Sequence, residues 1–404
     1  MISIFATHWR GLAALAMGLA LVGCGGGGNG GGDEPLPPPA YTYRAPADLA
    51  DTWTIAHAAD FGVDTARLET MMDDIRRGQF PSIDSIVVAK DGALVFDETI
   101  RTRTDAEDAR VGNTDPAIHA QFSATKSVTS LVVGIAIDEG HIDGTETPFL
   151  ELLPYTDYAN PDERKASIKL EHVLAMRSGI EWDEFDPPYT SPDNQLIRFY
   201  AEQTDYTKAF FDLPMAGEPG ERFAYATPAS VALGMAVETA VPISLIDFSL
   251  TELILPLGIS EVELLTTPTG LPDGGRGLYV RTRDMAKFGQ LLLNGGTWNG
   301  QRIVSESWIE ASLVPRTTVG WADPAAWDWQ LQGYGWQWWL GYYDHGATQR
   351  QAWVGWGFGG QWVVAIPSLS LVVAVNSHGY DGSDAALNEG HALIRRYVLD
   401  AVLP

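Results

Sequence analysis

Ser123 and Lys126 stand three residues apart in the segment Phe122-Ser123-Ala124-Thr125-Lys126. On a helix that spacing puts a hydroxyl and an amine on one face, about one turn apart. A neutral lysine can take the serine proton and leave an alkoxide-like nucleophile, so the pair suits attack on a carbonyl through a covalent intermediate. At an unperturbed pKa near 10.4, only roughly one lysine in two thousand is neutral at pH 7. The site must therefore lower that value by burial or by nearby positive charge. The chain holds 20 Ser and only six Lys, so chance alone yields about 0.3 matches to Ser-x-x-Lys, and the context has to carry the assignment. Lys126 opens an apolar run (Val128, Leu131, Val132, Val133, Ile135, Ile137), where a lysine is expensive to bury without a purpose. Ser123, Lys126, Ser127 and Ser130 form the polar stripe of that helix. The helix N-terminus also brings backbone N–H groups and the positive dipole end to Ser123, which suits a developing oxyanion.

Such a pair needs rigid supports, and the hydrophobic periodicity predicts them. The helix runs over about 123–139 and stops at Gly140, a residue suited to a left-handed cap. Ahead of it, Asp64 is placed to cap a helix with Leu68, Met71, Met72 and Ile75 on one face. Residues 83–89 and 93–99 read as strands joined by a Lys90-Asp91-Gly92 turn. Residues 141–270 read as helix and loop. Helical spacing returns at 282–294 and 305–313, and strand character at 334–342, 353–357, 361–366 and 371–375. Ser383 then caps a last helix with Leu387, Ile394, Val398 and Val402 on its face. Strands at both ends around a helical middle predict an α+β architecture. One antiparallel sheet is flanked by N- and C-terminal helices, a mainly helical domain is inserted, and a cleft lies between the two. The sheet part takes residues 46–118 and 275–404, and the helical part 119–274.

Composition narrows the functional classes. With 26 basic and 52 acidic side chains the formal net charge is −26, which argues against nucleic acid as a partner, since phosphate recognition needs clustered Lys and Arg. A single cysteine excludes an internal disulfide framework and any zinc site built on two or more cysteines. The eight histidines show no i, i+4 pair and no His-Glu-x-x-His, and Gly-x-Ser-x-Gly is absent. The one cysteine has a different use. His8 and Arg10 precede an uninterrupted small and apolar stretch, 11–22, that ends in Leu21-Val22-Gly23-Cys24. About 12 such residues are too few to span a ~30 Å hydrocarbon core, but they suit a secretory signal. The last four residues resemble the bacterial lipobox, whose Cys is lipidated. The reading is therefore a signal peptide at 1–23, then lipidated Cys24 and a Gly/Pro-rich tether to residue 45. The folded domain at 46–404 is held at the cell envelope by its lipid anchor.

Further matches in chain order identify a family. Ser123-Ala124-Thr125-Lys126 resembles the Ser-x-x-Lys motif of serine β-lactamases, penicillin-binding proteins and their esterase relatives. The surroundings resemble the class C β-lactamase-related branch, which includes carboxylesterases, D-aminopeptidases and 6-aminohexanoate-dimer hydrolases. The stretches that carry this are 122–144, Pro219-Gly220-Glu221-Arg222-Phe223-Ala224-Tyr225, 277–288 and Gly357-Phe358-Gly359-Gly360-Gln361. The resemblance implies a β-lactamase-like fold with no cofactor. It makes Tyr225 a general base or proton shuttle whose phenol the Lys126 ammonium lowers. Tyr225-Ala226-Thr227 matches a Tyr-x-Asn motif with Thr227 where Asn is usual. Phe358-Gly359-Gly360 stands where relatives carry Lys-Thr-Gly or His-x-Gly, so the basic residue is missing. By the same resemblance the backbone N–H groups of Ser123 and Gln361 form an oxyanion hole, while Thr227, Phe358, Gly359 and Gly360 contact substrate.

Two features remain. Nine of the 14 Trp lie between Trp321 and Trp362, enough for an apolar or sugar-stacking wall, although strand alternation assigns at least half of them to core. The acidic, proline-rich stretch Glu181 to Asp193 reads as a solvated loop, with a place at the rim of the cleft as the alternative. The sequence therefore predicts a lipid-anchored serine hydrolase that cleaves a small-molecule ester or amide through an acyl-enzyme on Ser123. The alternatives are a β-lactamase or D-alanyl peptidase, and a catalytically silent envelope binding protein of the same fold.

Overall fold

The computed structural model describes residues 39–320 and 327–402. The signal segment and Cys24 lie outside the described residues. A nine-stranded sheet organises the rest. Its strands are β1 (Thr54–Ile55), β2 (Ile83–Lys90), β3 (Ala93–Thr99), β4 (Thr317–Thr318), β5 (Gln330–Tyr334), β6 (Trp339–His345), β7 (Thr348–Gly357), β8 (Gln361–Ile366) and β9 (Leu371–Ser377). They lie in the order β1-β3-β2-β9-β8-β7-β6-β5-β4. All neighbours are antiparallel except β1, which runs parallel to β3. The β2–β3 hairpin turns on Asp91 (φ 52°) and Gly92 (φ 84°), the left-handed pair that a two-residue turn requires. β2 then pairs with β9 from Lys90↔Leu371 to Ile83↔Ser377, so the first long strand closes on the last.

Strand alternation gives each face of the sheet its own helices. Helix α4 (Thr282–Leu293) packs on the face that carries Val363 and Val372, where Gly289 brings its backbone against both valines. The other face carries Trp362 and Val375 and takes the C-terminal helix α5 (Asp384–Leu393), which approaches at Gly390. Ser383 caps α5 as predicted, and the helix continues through a π-turn (Ile394–Val398) to Leu399–Val402. Helix α1 (Thr65–Arg76) is capped by Asp64, whose carboxylate accepts from Ala66 N, and it buries Leu68, Met71, Met72 and Ile75 as predicted.

The chain leaves the sheet for the helical region through a short ladder, Ile118–Ala120 paired antiparallel with Leu278–Arg281, and returns through the same ladder. Within that region α2 (Thr125–Asp138) and α3 (Thr227–Ala240) are buried almost throughout and pack on one another. Gly140 ends the α2 segment with φ 76°.

Two predicted elements are corrected. Residues 334–342 are not one strand: β5 ends at Tyr334 and β6 starts at Trp339. Gly335 N donates to Trp338 O across the connection, while Trp336 N and Gln337 N donate outward to Ser312 O and Leu174 O. The aromatic β-propensity of this run is overridden by a turn pinned to neighbouring helices. Ser123 also lies one turn ahead of α2, in a 3₁₀ segment (Phe122–Ala124) that begins with Phe122 at φ 43°. A left-handed phenylalanine is a strained conformation, and here it immediately precedes the candidate nucleophile.

Strand β7 passes close against that segment. A Cβ on Gly357 would meet the Gln121 carbonyl oxygen at 2.2 Å, whereas one on Gly217 would meet nothing within 4 Å. Gly357→Ala is therefore expected to lower stability by roughly 2–3 kcal/mol, and Gly217→Ala by less than about 0.5 kcal/mol. Chemical denaturation of the two variants checks this contrast.

Candidate active site

Lys126 is completely buried in the first turns of α2, and three different segments hold its amine. Nζ lies 2.9 Å from Ser123 Oγ, 2.9 Å from Thr227 Oγ1 at the start of α3, and 2.8 Å from the Gly275 carbonyl oxygen. Gly275 can come this near because it has no side chain; a Cβ there would meet Thr227 Cγ2 at 2.7 Å. Burial is the largest influence on the amine and pulls its pKa down to about 8. Glu184 and Asp273 oppose the shift, and Arg276 adds to it. At pH 7 the neutral fraction rises from roughly one in two thousand to about one in ten. The burial that the sequence argument required is present, and Lys126 has a share of free base large enough to serve Ser123.

Tyr225 is also buried, with its ring between Phe185 (centroids 5.5 Å apart, 21°) and Trp339 (5.2 Å, 27°). Lys126 Nζ lies 4.9 Å from the ring centroid. The expected lowering of the phenol pKa is not what the site produces. Burial and then Glu184 push it up, and the Ser123 hydroxyl offsets only part of that. Tyr225 therefore keeps its proton at neutral pH, and a share of the lysine is free to accept one. Two groups driven in opposite directions are suited to separate acid and base roles.

The remaining predicted residues separate into those at the cleft and those beneath it. Phe358 lines the cleft. Gly359 (φ 81°) and Gly360 (φ 90°) are buried and shape the β7–β8 turn, while Gln361 opens β8 opposite Gly357. The Gln361 side chain points away from the cleft. Its Nε2 donates to Ser377 O (2.6 Å) and Phe358 O (3.2 Å), and its Oε1 accepts from Asn376 Nδ2 (2.7 Å), which ties the turn to β9. Thr227, expected to touch substrate, is instead buried under the site and bonded to Lys126.

Sequence reasoning passed over Glu184. Its stretch read as solvated loop, yet this carboxylate is 1 % exposed and accepts four hydrogen bonds. The donors are Trp182 Nε1 (3.0 Å), Tyr189 OH (2.8 Å), Thr227 N (2.6 Å) and Thr227 Oγ1. The available signal was the packing of Trp182, Phe185 and Tyr189 around one acid, in a loop too aromatic to be merely solvated.

In front of Ser123 opens a cleft of about 560 Å³. Phe185, Tyr189, Phe223, Tyr225, Trp327, Trp339, Trp356 and Phe358 form its walls, with Leu331, Leu387 and Val319 between them. Three tryptophans of the dense cluster thus face the cleft, while Trp329, Trp338 and Trp362 are core. Among the described lining residues the charged ones are Asp381 and Asp384, and none is basic.

Comparison with known proteins gives the family and the fold. The family described as Beta-lactamase matches residues 66–396. A 6-aminohexanoate-dimer hydrolase of Paenarthrobacter ureafaciens is 27% identical over 222 residues, which cover 52% of this chain and 54% of the relative. The match thus spans about half the length of that relative. Among solved structures, the octameric penicillin-binding protein homologue from Pyrococcus abyssi superposes with a TM-score of 0.58 at 21% identity, covering 82% of this chain and 76% of its own. A penicillin-binding protein from Bacillus halodurans gives a TM-score of 0.57 at 19% identity, with 81% and 98% covered. These likenesses show the β-lactamase-like fold.

If the neutral amine of Lys126 activates Ser123, covalent capture of Ser123 by a fluorophosphonate must follow the amine's titration. The second-order rate is expected to rise about tenfold per pH unit in the acid range and to level off above about pH 8. The pH dependence of labelling measures this. A flat profile between pH 6 and 9 contradicts it.

Proposed function

Because this chain belongs to the β-lactamase family, we propose that it is a serine hydrolase that opens an ester or small amide bond through an acyl-enzyme on Ser123. The observation that carries the reading is the buried Lys126 amine, 2.9 Å from the Ser123 hydroxyl at the floor of an aromatic cleft. In the acylation step Lys126 takes the Ser123 proton as Oγ attacks the carbonyl carbon, and the carbonyl oxygen gains the negative charge. Backbone N–H groups of Ser123 and Gln361 receive that charge. Tyr225 gives its proton to the departing oxygen or nitrogen and regains one from the Lys126 ammonium beside its ring. Water then repeats the sequence on the acyl-enzyme and releases the acid.

The cleft supports a substrate with an apolar or aromatic part. Stacking surfaces dominate its walls, and no cation stands among the described lining residues to meet a carboxylate. Phe358-Gly359-Gly360 places no basic side chain at the third motif either. Both features favour esters and neutral amides over penicillins. The name of the P. ureafaciens relative specifies a 6-aminohexanoate dimer, which makes that dimer a rational amide to assay beside nitrophenyl esters. The N-terminal segment adds a location to the proposal: lipidated Cys24 holds the enzyme at a bacterial cell envelope.

Fluorophosphonate is expected to label the wild type and not Ser123→Ala. Nitrophenyl esters should turn over faster than nitrocefin. Lys126→Ala should lose at least about 10²-fold in kcat/KM on the esters. Absence of labelling in the wild type would favour a silent binding protein, and rapid nitrocefin hydrolysis would favour a β-lactamase. Separately, Cys24→Ser is expected to move the protein from the membrane to the soluble fraction on cell fractionation, and a variant that stays with the membrane contradicts the anchor.

A further inference from the structure

The protons around Lys126 can be counted completely, and the count gives Glu184 a task. Thr227 Oγ1 has one proton and two lone pairs. Its neighbours are a carboxylate oxygen of Glu184, which can only accept, and the Lys126 amine. The Thr227 proton therefore goes to Glu184, and Thr227 is left as an acceptor toward Nζ. The Gly275 carbonyl, the second partner of Nζ, can only accept as well. Two of the tetrahedral positions on the lysine nitrogen are thus committed to N–H bonds. The position left over points at Ser123 Oγ. When the amine is neutral, its lone pair occupies that position and meets the hydroxyl proton it must remove.

Without the carboxylate, the Thr227 hydroxyl is free to rotate and donate its proton to the same lone pair. Lys126 would then accept from Thr227, spend an N–H on Ser123, and lose its use as a base. The Glu184 carboxylate is itself firmly held. Trp182 Nε1, Tyr189 OH and Thr227 N fill the acceptor sites that Thr227 Oγ1 leaves, so its orientation does not depend on substrate.

From this geometry we infer that Glu184 is a positioning residue for the proposed nucleophile pair: it holds the proton of the Thr227 hydroxyl and thereby aims the Lys126 lone pair at Ser123. The inference rests on the hydrolase reading above and adds a residue that does not touch substrate. In the step it governs, the Ser123 O–H bond breaks and a Lys126 N–H bond forms. No proton is exchanged with Thr227 or Glu184. The resemblance to relatives with Asn at the Thr227 position fits the same logic. An amide oxygen is an acceptor by its chemistry, whereas a threonine hydroxyl becomes one only when a third group takes its proton.

Glu184 also acts on Lys126 through its charge, and that effect has the opposite sign, which makes the two separable. The charged or titratable groups facing Lys126 are Glu184, Asp273, Arg276 and Tyr225, with Arg276 bonded to Asp273 at 3.1 Å. Glu184 favours the ammonium, so its removal moves the lysine titration to lower pH and by itself would speed the reaction in acid. Loss of aim instead slows the reaction at every pH.

The test is the pH profile of Ser123 phosphonylation by a fluorophosphonate. Glu184→Gln is expected to lower the high-pH limiting rate at least tenfold while its midpoint moves to lower pH. Adding Thr227→Asn to Glu184→Gln is expected to restore most of the limiting rate. An independent pair does not require Glu184→Gln to fold: Thr227→Val should lose the limiting rate, and Thr227→Ser should keep it. Near-UV circular dichroism of the tryptophan-rich core confirms that each variant is folded. An unchanged limiting rate in folded Glu184→Gln or Thr227→Val overturns the inference, as does a folded double variant that recovers nothing. A wild type that is not labelled at Ser123 removes the hydrolase reading itself.

Discussion

Burying one lysine amine is the constraint on which the rest of this structure depends. A cation withdrawn from water is costly unless it is paired or neutralised. Here the amine meets three oxygen partners and no carboxylate directly. The shift from an ordinary 10.5 to about 8 weakens the preference for the ammonium by about 3 kcal/mol. That shift is what the proposed base at neutral pH rests on. It also explains the company the amine keeps: acceptors to satisfy its hydrogens, an aromatic ring beside it, and acids near enough to limit the shift.

Much of the backbone can be understood as delivering those partners. The Phe122–Ala124 turn and the start of α2 bring Ser123 and Lys126 together, α3 starts with Thr227, and the segment before Leu278–Arg281 offers the Gly275 carbonyl. These three segments are distant in sequence, and the antiparallel ladder of Ile118–Ala120 with Leu278–Arg281 brings the ends of the inserted region together. The sheet supplies the opposite wall. β7 and β8 reach the Ser123 turn only because Gly357 lets backbone pass against the Gln121 carbonyl, and Gln361 then fastens their connection to β9. A strained Phe122 at φ 43° sits where these pieces meet. Its ring packs edge-on to Phe358 (5.9 Å, 74°), so the turn and the cleft wall support one another.

Local signals in the sequence revealed most of the elements. Asp64 and Ser383 at helix starts, Gly140 at a helix end and Asp91-Gly92 in a hairpin each act through neighbours a few residues away, and each is where it was expected. The failures share a cause, which is tertiary partnership. Residues 336–338 look like strand, but the carbonyls of Ser312 and Leu174 claim their backbone. Ser123 and Lys126 were legible because three-residue spacing on a helix is a local property. Thr227 was named as a substrate contact, but its bond to Glu184 was not legible, because it joins positions 43 residues apart. The phenol of Tyr225 was expected to be lowered by the Lys126 ammonium, yet burial raises it and Glu184 adds to the rise. Sequence names the groups in such a site more readily than it names their environments, and environment decides which group is acid and which is base.

The most direct test of this account is to titrate Lys126 itself. The chain has only six lysines, so the side-chain ε-methylene signals of protein labelled with ¹³C-lysine can be separated by NMR and that of Lys126 assigned with Lys126→Arg. The account predicts a Lys126 signal that moves with a midpoint near pH 8, while those of Lys169 and Lys208, each hydrogen-bonded to a carboxylate, titrate above the ordinary lysine value. A Lys126 signal that stays protonated up to the ordinary lysine range would contradict it.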